Sequence, residues 1–130
     1  MIKASKFHEE GYNCAESIIK AYNEEYNKDI PVKIGTGLGG GCGIGSLCGA
    51  MNAANIIIGF EKGREDASEE NIGKPYVQAA MIELNKKYES FLCSDIRIDK
   101  QHCDKIIDFA YENLIQTLNR DVLANNKEEK

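Results

Sequence analysis

Five cysteines are the residues in this chain best fitted to carry chemistry: Cys14, Cys42, Cys48, Cys93 and Cys103. A thiolate binds zinc, iron and iron–sulfur clusters, and two thiols exchange electrons as a disulfide. No two of the five form C-x-x-C, so the chain has no local metal knuckle. Any shared centre must be assembled by the fold. The odd number argues against a fully paired disulfide framework.

Two of the five lie in GTGLGGGCGIGSLCGA, Gly35 to Ala50, where eight of sixteen residues are glycine. Glycine is costly to order, so such a run implies that the backbone must come very close to something. A nucleotide phosphate is one candidate, since Gly35-Thr36-Gly37-Leu38-Gly39-Gly40 satisfies G-x-G-x-x-G. The fingerprint needs a preceding strand, a helix that opens at once and a later acidic residue at a strand end. Ile30 to Ile34 offers one short extended segment at most, and further glycines follow where the helix should begin. The P-loop pattern fails too, because Ser46 and Leu47 stand where Lys and Ser/Thr belong. No nucleotide is expected. A sulfur centre is the alternative. Cys48 falls in the first turn of a helix, where positive potential and free N–H groups favour a thiolate. Bare glycine amides can add hydrogen bonds to sulfur.

Four helical patterns position these cysteines, and no strand pattern stands out. The first runs from about Ala4 to Asn27 with Phe7, Gly11, Cys14, Ile18 and Tyr22 on one stripe, and Asp29-Ile30-Pro31 ends it. The second, Leu47 to Phe60, is capped by Ser46 and is apolar or small nearly all round, as a central buried helix should be. Glu61 to Gly73 reads as an exposed loop. Pro75 opens the third helix, which fades near Cys93. Asp99 caps the fourth, which reaches about Leu123 and carries Cys103, Ile107, Ala110 and Leu114 inward. The expected architecture is all-α: a single-domain bundle of about four helices over residues 1–124, with a glycine-rich loop before the buried central helix and a charged tail at 125–130. Cys14, Cys48, Cys93 and Cys103 then sit on four helical segments and can all face the interior. Each also reads as a small buried hydrophobe. His8 and His102 are weaker candidates; His102, beside Cys103, is the one considered as a stand-in ligand. The six tyrosines read as core and rim aromatics.

The totals narrow the classes. The chain has 130 residues, 42% of them hydrophobic, enough for one cored domain. A net charge of −5 with no basic patch makes nucleic acid an unsuited partner. MIKASKFHEE has no apolar signal region, and Ile56-Ile57-Ile58 is far too short to insert in a membrane. A cytoplasmic location is expected, where thiols are reduced and serve metals or catalysis more often than disulfides.

Gly11-Tyr12-Asn13-Cys14-Ala15, the glycines of Gly37 to Gly41, Cys48-Gly49-Ala50, Cys93 and Cys103 together resemble the C_GCAxxG_C_C family of small bacterial and archaeal proteins. The ordered set spans nearly the whole chain. The resemblance implies a helical fold, a redox role and a hallmark cysteine set corresponding here to Cys14, Cys48, Cys93 and Cys103. A related domain occurs in split-Soret cytochromes, where an iron–sulfur centre accompanies the haem. No C-x-x-C-H stands in this chain, so no haem is carried over. Two departures matter. Ala53 replaces the glycine that ends the family's CGAxxG, and Cys42 is an extra thiol. Cys42 either substitutes for one of the four ligands or pairs with Cys48 as a redox disulfide.

Three readings follow. The first is an electron-transfer or redox-sensing protein with a metal centre, most simply a 2Fe-2S cluster held by Cys14, Cys48, Cys93 and Cys103. It requires an electron-transfer partner and leaves a homodimer open. The second is a metal-free thiol–disulfide oxidoreductase with Cys48 as the reactive thiolate and Cys42 or another cysteine resolving it. The third is a non-catalytic helical domain with a structural zinc or none.

Overall fold

Small and branched aliphatic side chains fill the interior. Ala50, Met51, Ala53, Ile57 and Ile58 are fully buried, as are Ile18 and Ile19 before them and Ile107 and Leu114 after them. Each large member of this set contributes roughly 1.5–3 kcal/mol by leaving water. The computed structural model describes residues 1–97 and 99–124, and its fold is all-α. The helices are α1 (Ser5–Glu9), α2 (Cys14–Tyr26), α3 (Gly49–Lys62), α4 (Gly73–Tyr88), α5 (Cys93–Ile96) and α6 (Lys100–Leu118). Among the described residues there is no strand, and one isolated antiparallel bridge joins Leu47 to Leu92.

Four of the six helices are long, and they make the expected bundle. Helix α3 packs on α2, α4 and α6, which places it at the centre. Its small faces explain this position, because Ala50, Ala53 and Ala54 let the α2 backbone approach. Polar ties fix the rest. Tyr111 on α6 donates to Glu25 Oε1 on α2 at 2.7 Å, Tyr22 donates to Glu61 Oε2 at 2.6 Å, and Asn113 donates to the Ala80 carbonyl at 2.9 Å. Tyr22, Tyr76 and Tyr111 are buried, Tyr12 and Tyr88 half-buried and Tyr26 exposed. No helix among the described residues is long and apolar enough to cross a membrane.

The element boundaries differ from the sequence expectation near three of the cysteines and at the end of the last helix. The first expected helix is two helices. Gly11 adopts φ +109° and breaks it, and Asn13 caps a new start, so Cys14 opens α2 and does not lie mid-helix. The central helix begins at Gly49 with Cys48 in the capping position, so Ser46 is not its cap. The third helix stops at Tyr88, where Glu89 turns left-handed, and Cys93 opens a separate short helix. Asp99 caps α6 as expected, accepting from the His102 amide at 2.7 Å, but the helix ends at Leu118. The charged tail at 125–130 lies outside the described residues.

Candidate cysteine centre

Cys14, Cys48, Cys93 and Cys103 line a single cavity of about 290 Å³. Each stands at the N-terminal end of a helix. Cys14 and Cys93 are the first residues of α2 and α5, Cys48 is the cap of α3, and Cys103 lies in the first turn of α6. Three helices longer than three turns therefore aim their positive ends and unpaired amides at one place. An environment of this kind favours negative charge, which four thiolates would supply.

Local sequence explains how each sulfur is held. Asn13 and Glu16 form a capping box: the Asn13 side chain accepts from the Glu16 amide at 2.7 Å, and Glu16 Oε1 accepts from the Asn13 amide at 3.0 Å. The Asn13 amide group also donates to the Gly35 and Thr36 carbonyls, pinning the start of the glycine segment on α2. The bridge between Leu47 and Leu92 is flanked by hydrogen bonds from Cys48 N to Phe91 O (2.8 Å) and from Cys93 N to Ser46 O (2.7 Å). This clamp sets Cys48 opposite Phe91 and Cys93 opposite Ser46, tying both cysteines to one short bridge although they lie 45 positions apart in the chain.

The glycines are what the close approaches require. A β-carbon on Gly49 would lie 2.5 Å from Cys14 Sγ and 2.7 Å from the Leu38 carbonyl. One on Gly41 would lie 2.5 Å from the Ser46 backbone and 2.8 Å from Cys93 Cβ, and one on Gly39 would strike the Asn13 side chain at 2.9 Å. The glycine backbone thus packs directly against two of the four cysteines, Cys14 and Cys93, and against Asn13, the cap of α2. From Gly40 to Gly43 the chain makes a left-handed turn with φ of 59–77°, and Cys42 is its one non-glycine member.

Burial dominates the electrostatics. It pushes the Cys48 thiol up to about 11; the Met51 and Ala50 amides pull it back down, and charge on Cys14 and Cys103 adds to the rise. Neither amide closes a capping hydrogen bond to the sulfur. Cys103 is likewise pushed up to about 11, by burial first and then by Cys14, while Arg97 opposes the shift. Tyr88 is raised to about 12 by burial and by the nearby Cys48. Desolvation outweighs the field, because a half-charge at a helix end is worth less than removing a thiolate from water.

All five cysteines are free thiols. Cys42 is exposed and does not line the cavity; its sulfur sits 4.0 Å from Asn52 Nδ2 on the outer side of the loop. His102 faces a different groove, beside Tyr88 and Phe109. Sequence reasoning set His8 aside as a weaker candidate and passed over Arg97, although both line the cavity, and it passed over the Asp104 that pairs with His8. It also passed over the capping box, whose Asn-x-x-Glu spacing was visible. Among the described residues no three His, Cys, Asp or Glu side chains are gathered tightly enough to hold a single metal ion.

No curated protein and no solved structure matches the chain. The family described as "Putative redox-active protein (C_GCAxxG_C_C)" matches residues 12–117, a span that holds all four cavity cysteines, the glycine loop and the long helices but for Leu118 at the end of α6. The chain belongs to the C_GCAxxG_C_C family.

Proposed function

We propose that this protein is a redox carrier or sensor whose Cys14, Cys48, Cys93 and Cys103 hold an iron–sulfur centre. The observation that carries the reading is the placement of four thiols from four helix starts around one cavity. The donor set fits such a centre, since four thiolates are the usual complement for a 2Fe-2S or 4Fe-4S cluster. The cavity, about 290 Å³, has room for a group of several atoms. Four thiolates also suit a lone tetrahedral zinc at ~2.3 Å from each sulfur, and iron and labile-sulfide analysis separates the two.

The bound group would supply one-electron exchange. The chain's own contribution is to present four sulfurs and to set positive helix ends behind them. Metal uptake must remove the thiol protons, so binding is coupled to proton release. The metal-free oxidoreductase reading is less well supported. Exchange needs a thiolate, and burial holds Cys48 protonated at neutral pH while Cys42 lies outside the cavity. The test is iron, labile sulfide and visible absorption in protein purified without oxygen. Iron and sulfide in near-equal amounts with broad visible bands are expected. Colourless protein that also fails to take up iron and sulfide in reconstitution refutes the reading.

A further inference from the structure

The glycine segment has a second face. Gly39 and Gly40 line the cysteine cavity, while Cys42, Gly43 and Ile44, just beyond them in the chain, meet solvent. Gly41 lies between, packed so closely that a β-carbon there would stand 2.8 Å from Cys93 Cβ. The segment thus separates the cavity from solvent largely with backbone. Electron exchange falls steeply with distance, so a redox partner gains most by approaching where side chains are fewest.

Ile44 is presented at this place. Gly43 and Gly45 flank it with φ of +77° and +75°, and its side chain is 84% exposed, the most of any large hydrophobic among the described residues. Leu92, 45% exposed, lies on the segment that pairs with the loop through Leu47. From Ile34 to Phe60 there is no charged side chain, although 28% of the chain is charged. Helix α5 packs on the loop and adds Asp95, whose carboxylate accepts from Ser90 Oγ at 2.8 Å; Arg97 follows, so the rim carries one charge of each sign. Interface cores are depleted of charge, and transient redox encounters bury less than about 1,200 Å² in all. A small, neutral, apolar spot suits such an encounter.

We infer that the Cys42–Ile44 turn and Leu92 form the docking face through which the centre exchanges electrons, and that the partner is a redox protein meeting it with an uncharged, apolar face of its own. The inference rests on the proposed iron–sulfur reading. One electron crosses the turn in each encounter: the centre is oxidised, the partner's redox group is reduced, and no bond forms. A charged partner face would lose hydration against Ile44 with no opposite charge there to replace it.

The experiment uses the full chain loaded with iron and sulfide, reduced without oxygen and freed of excess reductant. It is mixed with one of two trivalent acceptors: hexaamminecobalt(III), which is compact and polar, or tris(phenanthroline)cobalt(III), whose surface is apolar. Each takes one electron and becomes cobalt(II), and the return of visible absorption gives the rate. The ratio of the two rates, apolar over polar, cancels the acceptors' own reactivities when proteins are compared. Ile44→Ser is expected to lower that ratio about four- to tenfold, the worth of half-burying one isoleucine side chain, with the visible spectrum and midpoint potential unchanged. Phe60→Ser removes an exposed apolar side chain near the other end of α3 and is expected to keep the wild-type ratio. An unaltered ratio in Ile44→Ser, or an equal fall in Phe60→Ser, overturns the inference alone. So does a wild-type dimer in sedimentation that Ile44→Ser dissociates, since the face then belongs to a second copy. A wild-type chain that takes up no iron overturns the proposed function and this inference with it.

Discussion

Replacing glycine by alanine twice in the same helix gives opposite outcomes if the glycine segment is built for contact with sulfur. Gly49 is the first residue of α3 and Gly59 opens its last turn. An alanine methyl at Gly49 would meet Cys14 Sγ at 2.5 Å, the Leu38 carbonyl at 2.7 Å and Gly39 Cα at 3.3 Å. Cys14 is buried and Leu38 O is backbone, so neither can swing aside as a long side chain would. Overpacking of this kind costs about 1–3 kcal/mol. The helix-propensity gain of alanine, about 0.8–1 kcal/mol, offsets part of it. The net for Gly49→Ala is a loss of up to about 2 kcal/mol, or up to about 8 °C in Tm for a domain of this size. At Gly59 nothing lies within 4 Å of the added methyl, so Gly59→Ala keeps the propensity gain and raises Tm by about 4 °C. Thermal and urea unfolding of the metal-free proteins read both. Gly49→Ala should also bind less metal, because the methyl displaces Cys14 Sγ. A Gly49→Ala protein as stable as the wild type, with full metal content, would refute the claim that the α3 start is packed against that sulfur.

Three further outcomes follow from the same geometry. Cys48→Ser should abolish metal binding while leaving the far-ultraviolet circular dichroism nearly unchanged, whereas Cys42→Ser should keep the metal; the reverse pattern in metal analysis means that Cys42 is the ligand. Asn13→Ala removes both the cap of α2 and the two ties to the glycine segment, and should cost about 1–2 kcal/mol in urea unfolding together with a lower metal content. In metal-free protein near pH 8, alkylation followed by mass spectrometry should find Cys42 modified first and Cys48 last, since burial leaves about one Cys48 in a thousand as thiolate at that pH. The folded-state value for Cys48 lies above the ordinary 9.0, so its contribution to stability is intact below pH 9 and is lost, by about 2–3 kcal/mol, as the pH rises to about 11.

Much of the site was readable because it was written in residue type and order. The four cysteines, the glycine run and the small-residue faces of α3 marked which segments must meet, and their meeting in one cavity accords with that reading. The break between α1 and α2 was not readable from periodicity. Phe7, Gly11, Cys14 and Ile18 keep helical spacing straight through it, and only the positive φ at Gly11 stops the helix. The short α5 was hidden as well, since its placement depends on the clamp between Leu47 and Leu92, a pairing no local pattern encodes. His8 and Asp104 are 96 residues apart, and their contact follows from how α1 lies on α6. The sign of the Cys48 shift was a contest between helix field and burial, and only the depth of the cavity decides it.

The central claim is that Cys14, Cys48, Cys93 and Cys103 act together on one bound centre, and differential alkylation tests it most directly. The loaded protein and the same protein stripped by a chelator are labelled without oxygen, under mild denaturation that admits the reagent to every thiol of the stripped form. The account predicts that these four cysteines are protected together in the loaded protein and labelled together in the stripped one, while Cys42 is labelled in both. Labelling of any two of the four with the metal still bound, or protection of Cys42 in place of one of them, would contradict it.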